Sequence, residues 1–179
     1  MLKVIDSKVY YEGKVLKLQV DEIEYDSSKN KGIREIAIHP GGAVVVPITN
    51  DGKFILVKQF RYPLQKELIE FPAGKLDDNE DPLECAKREL EEETGFKSEE
   101  ISYLGKIYTA PGYCTELLHI YLAKNLKEGN HNREEGEKEM QILKMSFDEV
   151  LKLIKAEEIV DSKTISALFF LYNKNEIKF

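Results

Sequence analysis

The sequence predicts an α/β fold: a mixed sheet between helical layers, preceded by a small N-terminal antiparallel β-region. Three patterns carry that reading. Residues 1–40 contain only short runs of alternating polarity, the period of half-buried strands. Asp81–Gly95 carries a full set of helix start and stop signals. The rest alternates strand-like and helix-like runs, the order that buries a sheet under helices on both sides.

In the N-terminal region, the segments around Lys8–Tyr11, Leu16–Tyr25 and Ile33–His39 read as strands, with turns at Glu12-Gly13 and Asp26–Gly32. Three short strands bury little apolar surface alone, so they must pack on the main domain or on a second subunit. His39-Pro40-Gly41-Gly42 interrupts any ladder and sets a boundary, giving a β-region at 1–40 and a main domain at 41–179.

Gly42–Thr49 reads as a buried strand, Asn50-Asp51-Gly52 as a hairpin turn, and Lys53–Tyr62 as the partner strand. Lys66–Phe71 leads into the helix. Asp81 suits the N-cap, Pro82 the first helical position and Glu84 the third position of a capping box, while Gly95 ends the helix. Leu83, Ala86 and Leu90 share its apolar face. Strands follow near Ile101–Thr109 and Leu117–Ala123, then a polar loop Lys124–Glu139 and a strand Met140–Met145. Ser146 with Glu149 opens a helix to about Ala156. Asp161 or Ser162 caps a last helix, whose Ile165, Leu168, Phe169 and Tyr172 read as core.

Composition narrows the function classes. No apolar run approaches the ~20 residues of a membrane span, and the N-terminus lacks the apolar core of a signal peptide. A net charge of −7 without a basic cluster argues against nucleic acid as a main partner. Cys85 and Cys114 are too few for a disulfide framework or zinc site and read as free thiols in a reducing cytoplasm. His39, His119 and His131 show no metal-ligand spacing and read as structural.

The helix itself is chemically odd. Glu89, Glu92 and Glu93 crowd one arc at i, i+3 and i+4, where like charges repel by a few tenths of a kcal/mol per pair. Glu91–Glu93 also lie near the C-terminus, where the macrodipole disfavours anions. A hard divalent cation reverses that cost, because clustered carboxylates are what Mg²⁺ binds.

Gly74, Glu80, Arg88, Glu89, Leu90, Glu92, Glu93, Gly95 and Phe96 stand at the spacing of the Nudix box, and on these residues the chain resembles the Nudix hydrolases. The resemblance implies the α/β/α Nudix sandwich and hydrolysis of a nucleoside diphosphate joined to another group. Three further stretches resemble the ADP-ribose pyrophosphatase branch: Glu70-Phe71-Pro72-Ala73-Gly74, Pro111 at its spacing after Phe96, and Asp161-Ser162-Lys163-Thr164. That branch implies ADP-ribose or a related nucleoside diphosphate derivative as substrate, with AMP and ribose 5-phosphate as products. Other nucleotide sugars, oxidised nucleotides, or a non-catalytic ADP-ribose sensor are the alternatives.

The resemblance also implies roles. Glu89, Glu92, Glu93 and the Ala73 carbonyl would hold Mg²⁺ or Mn²⁺, supplying hard oxygen ligands. Arg88 reads as a structural fork orienting Glu80 or the neighbours of Glu89. Arg61 would contact phosphate, Glu70 and Glu116 would contact substrate, and Arg34 would reach the partner subunit's site in a homodimer built on the N-terminal strands. Glu137-Lys138-Glu139 matches an acidic pair that supplies the catalytic base. Glu139 fits best, Glu137 second, and Glu134 and Glu135 are rivals. No aromatic ring is singled out for the adenine.

Overall fold

A computed structural model describes residues 1–129 and 139–177. The chain divides into two compact units: Met1–Gly41 with Tyr108–Leu117, and Gly42–Ile107 with Leu118–Phe179. The segment Tyr108–Leu117, assigned above to the main domain, thus groups with the N-terminal region.

The first unit is an antiparallel meander of β1 (Leu2–Glu12), β2 (Lys17–Tyr25) and β3 (Lys31–Ile38), in that order. Strand β1 starts well before the expected Lys8. Its register against β2 slips between Val4 and Asp6 and again between Val9 and Tyr11. Each slip resets the in/out phase, which blurs the period-2 signal in the sequence. Only β2 buries side chains fully, at Asp21 and Ile23, whereas β1 is exposed along its length. Ala37 bridges to Cys114, its N–H donating to the Tyr113 carbonyl at 2.7 Å.

The second unit holds β4 (Gly42–Pro47), β5 (Phe54–Arg61), β6 (Lys66–Glu70), β7 (Ala73–Lys75), α1 (Pro82–Thr94), β8 (Phe96–Lys97), β9 (Glu100–Tyr108, its last residue counted with the first unit) and β10 (Leu117–Lys124, likewise for its first). Then come β11 (Lys127–Glu128), β12 (Gln141–Met145), α2 (Phe147–Lys155) and α3 (Ser162–Asn173). One sheet runs β7-β4-β10-β9, with β10 parallel and β7 antiparallel to β4; another, antiparallel, runs β12-β5-β6. The expected β4–β5 hairpin does not form as such. The turn at Asn50–Gly52 is present, but only Ile48 and Phe54 pair across it, and the strands diverge into different sheets. Every residue of β4 is buried, as suits a central strand covered on both faces.

Those two faces make the sandwich. Val44 and Val46 pack with Phe54, Leu56 and Phe71 against Val150 of α2 and Ala167, Leu168 and Leu171 of α3. Ala43 and Val45 face the other way, against Cys85, Ala86 and Leu90 of α1. Full burial of a side chain such as Leu90 contributes about 1.5–3 kcal/mol, so α1 is held mainly by this stripe. In α3 the inward residues are Thr164, Ala167, Leu168 and Leu171. Ile165, Phe169 and Tyr172, expected in the core, are exposed, because they occupy the adjoining arc about a third of a turn away. Among the described residues no helix is long and apolar enough to cross a membrane.

Candidate active site

The site is built where α1 crosses β7. Asp81 caps α1 by accepting from the Leu83 N–H at 2.8 Å, and Pro82 needs no partner. The expected capping box is incomplete, because the Glu84 carboxylate turns to Lys87 at 2.7 Å. Gly95 closes the helix at φ 71°, its N–H donating to the Glu91 carbonyl. Between these ends the apolar stripe turns Glu89 and Glu93 toward β7, and both are buried, at 6% and 2% exposure. The Ala73 N–H donates to Glu93 Oε2 at 3.1 Å. Glu89 lies against Gly74 so closely that a Cβ there would sit 1.7 Å from its Oε1. Any side chain here would push the Glu89 carboxylate aside, which gives the first residue of the box a reason to be glycine.

Arg88 resolves the helix's self-repulsion. Its Nε and Nη2 grip Glu80 at 2.9 and 3.0 Å, and its Nη1 reaches Glu89 at 2.6 Å and Glu92 at 3.1 Å. Its Nη2 also donates to the Lys75 carbonyl, tying helix to strand. The hydrogen bonds from Arg88 hold the Glu80 carboxyl at about 2. Burial, reinforced by Glu89, pushes the Cys85 thiol up to about 12, and the side chain packs in the core beneath α1.

A second cluster adjoins. Arg61, at the end of β5, forks onto Glu70, at the end of β6, with Nε–Oε1 at 2.9 Å and Nη2–Oε2 at 2.6 Å. Lys163 of α3 also donates to Glu70 Oε2, and to Asp161 Oδ1 at 2.9 Å. Burial alone would raise the Glu70 pKa, but the Arg61 hydrogen bonds and the Lys163 charge outweigh it and hold it below the carboxylate range. Arg61 is raised by its bonds to Glu70, with Glu93 and Asp161 adding to the effect. Glu70, expected to touch substrate, is only 1% exposed and its oxygens are taken by two cations, so it stands behind Arg61. Lys163 was missed as a site residue. Its only signal was the Asp161–Thr164 stretch, which carried no role, and nothing local shows that α3 meets the end of β6.

Among the described residues no three His, Cys, Asp or Glu side chains converge as a ready-made ligand set, since Glu89 and Glu92 point at Arg88. The donor chemistry nevertheless fits a hard divalent cation: buried carboxylates, all oxygen, beside a backbone strand. Glu139 is exposed and precedes the buried Met140. Glu137, like Glu134, Glu135 and His131, lies outside the described residues. Arg34 and Glu116 belong to the first unit. There Arg34 donates to the Tyr25 hydroxyl at 2.6 Å and the Ile33 carbonyl at 2.8 Å, and Glu116 accepts from Thr109 at 2.7 Å.

Buried carboxylates on a capped helix, a glycine strand beneath them and an arginine fork alongside make up the candidate active site of a Nudix hydrolase. The chain belongs to the NUDIX domain family, whose model matches residues 39–168. Nudix hydrolases generally use divalent metal ions. The chain is 40% identical over 177 residues to a methanol dehydrogenase activator of Bacillus methanolicus, covering 98% of this chain and 95% of that one. It is 38% identical over 177 residues, with the same coverage, to an ADP-ribose pyrophosphatase of Bacillus subtilis (strain 168). It is 32% identical over 163 residues to a GDP-mannose pyrophosphatase of Escherichia coli (strain K12), covering 83% of this chain and 85% of that one. A crystal structure of an ADP compounds hydrolase superposes with a TM-score of 0.86 at 20% identity, covering 98% of this chain and 94% of that one, and shows the same fold.

Proposed function

We propose that this protein hydrolyses the diphosphate of ADP-ribose to AMP and ribose 5-phosphate, with Mg²⁺ at Glu89, Glu92, Glu93 and the Ala73 carbonyl. The observation that supports it most is the placement of two buried carboxylates, Glu89 and Glu93, beside Ala73–Gly74, an all-oxygen donor set that suits a hard divalent cation. Mn²⁺ has the same ligand preference and is the alternative metal. When bound, the metal supplies charge neutralisation on the phosphate oxygens.

The chain's own residues then have separable tasks. Arg61 offers the N–H groups not engaged by Glu70 to a phosphate. Glu139, with Glu137 as second candidate, takes the proton from the attacking water. The water oxygen bonds to one phosphorus, the bridging P–O bond breaks, and the leaving phosphate carries away the electron pair. Arg34 and Glu116 contact substrate, Arg34 from a partner subunit. The domain reading is a dimerising β-region at 1–40 and a catalytic domain at 41–179. The exposed Val4, Val9, Tyr10, Tyr11 and Ile33 of the meander support a homodimer, and the setting is the cytoplasm.

The test is a panel of ADP-ribose, GDP-mannose and nucleoside triphosphates with Mg²⁺, products separated chromatographically. AMP and ribose 5-phosphate from ADP-ribose, at the highest kcat/KM, are expected. Preferred turnover of a sugar nucleotide would move the substrate, and turnover of none would refute the reading. Sedimentation should give a dimer, and a fully active monomer would remove Arg34 from the site. The relative named as a methanol dehydrogenase activator favours a second reading, action on a dehydrogenase. A rise in methanol dehydrogenase rate on adding this chain, in place of free ADP-ribose turnover, would select it.

A further inference from the structure

Lys163 and Asp161 sit about a hundred residues from Arg61 in the chain, yet with Glu70 the four form a continuous run of ion pairs, Arg61–Glu70–Lys163–Asp161, a quartet of two cations and two anions. Glu70 is 1% exposed, and the Lys163 and Asp161 side chains 12% and 13%. Arg61, at 36%, is the most exposed of the four. Its Nε and Nη2 face Glu70, so the rigid fork turns its Nη1 edge away from that carboxylate. The direction of that edge is therefore set by where the Glu70 carboxylate is fixed.

Three contacts fix it. Lys163 binds the same Oε2 that Arg61 Nη2 uses. Asp161 holds Lys163 through Oδ1 while capping α3 through Oδ2, which accepts from the Thr164 N–H at 2.9 Å and hydroxyl at 2.7 Å. The Thr164 hydroxyl oxygen in turn accepts from the Phe71 N–H at 2.9 Å, pinning the residue next to Glu70. From Phe71 two residues lead to Ala73, whose N–H holds Glu93. The N-terminus of α3 thus fixes the end of β6, whose Glu70 receives the arginine fork and which runs on into the backbone under the box carboxylates.

Stability is a poor explanation for this quartet, since buried ion clusters are often replaced by apolar side chains at no loss. We infer that Lys163 is a positioning residue: through Glu70 it aims Arg61 at the diphosphate of the substrate. When Arg61 engages that anion, Lys163 keeps Glu70 compensated in the interior. The inference rests on the proposed function for its substrate, though not for its geometry.

The test compares Lys163→Met and Lys163→Arg in the full chain. Steady-state kinetics with ADP-ribose should show Lys163→Met raising KM about tenfold or more, with kcat within about threefold. Calorimetry with inorganic pyrophosphate in chelator, where the protein's own cations hold the anion, should show a similar loss of affinity. Lys163→Arg should recover most of both. In a Glu70→Gln background the Lys163→Met change should add less than about twofold, because the relay is already cut. An unchanged KM and pyrophosphate affinity, or a loss in melting temperature alone, would overturn the inference. If Lys163→Met does not fold, Asp161→Asn keeps a helix cap while loosening Lys163, and must weaken pyrophosphate binding or the inference fails. Should ADP-ribose prove not to be the substrate, the pyrophosphate measurement still decides.

Discussion

Gly74→Ala gives the sharpest test of how the box works. The added Cβ would lie 1.7 Å from Glu89 Oε1, 2.0 Å from its Cδ and 2.5 Å from Oε2. Ordinary contact begins near 3.4 Å, so the carboxylate must retreat by about 1.7 Å. As the far end of a flexible side chain it can move, but only by loosening the contact with Arg88, which holds it at 2.6 Å while itself gripping Glu80. Stability should barely move. Gly74 is not among the positive-φ glycines, so alanine fits the backbone and gains about 0.4–1 kcal/mol from the unfolded state. A weakened Glu89–Arg88 pair offsets that by about 1 kcal/mol. Activity should not survive, because a displacement of about 1 Å at a reacting centre costs on the order of 10²-fold. We expect kcat/KM to fall 10²-fold or more with urea unfolding unchanged within about 1 kcal/mol. In a Glu89→Ala background the same change should cost nothing further. Activity within threefold of the parent, or equal losses in both backgrounds, would refute the contact argument.

Three other outcomes follow from the same geometry. Glu93→Gln keeps an acceptor for the Ala73 N–H and removes a buried charge, so circular dichroism should show a folded protein whose turnover is down at least about 10²-fold. Glu80 is held at about 2 in the folded state against an ordinary 4.5, so its contribution is complete above about 4.5 and lost as pH falls toward 2; Glu80→Gln should flatten that acid limb in pH-dependent melts. Gln59 Oε1 is buried without a hydrogen-bond partner among the described residues, an arrangement costing about 1–3 kcal/mol, so Gln59→Met should leave stability unchanged or raise it by about 1 kcal/mol in urea titration, and a clear loss would show a partner.

The helix α1 was legible in the sequence because its signals are local. An aspartate cap, a proline at the first position, an i, i+4 apolar stripe and a terminal glycine act within a few residues of one another, and each is found where the spacing put it. The same holds for the Ser146–Glu149 capping box of α2 and for the strand β4, whose run of apolar residues can only be buried. The start of β1 was hidden, since two register slips reverse the alternation that a period-2 pattern relies on. Strand pairing across Asn50–Gly52 was misread because a turn fixes a chain reversal, while the partners of β4 and β5 are chosen by strands and helices far along the chain. In α3 the sequence offered two overlapping apolar arcs, and which one faces inward depends on where Phe71 and Leu56 lie. So too with the site. The sequence by itself determined that Glu89 and Glu93 share a helix face, because 3.6 residues per turn is a property of the backbone. Only the tertiary structure decided that Lys163 stands behind Glu70, because that contact joins residues 93 apart, and nothing short of the packing of α3 on the sheet brings them together.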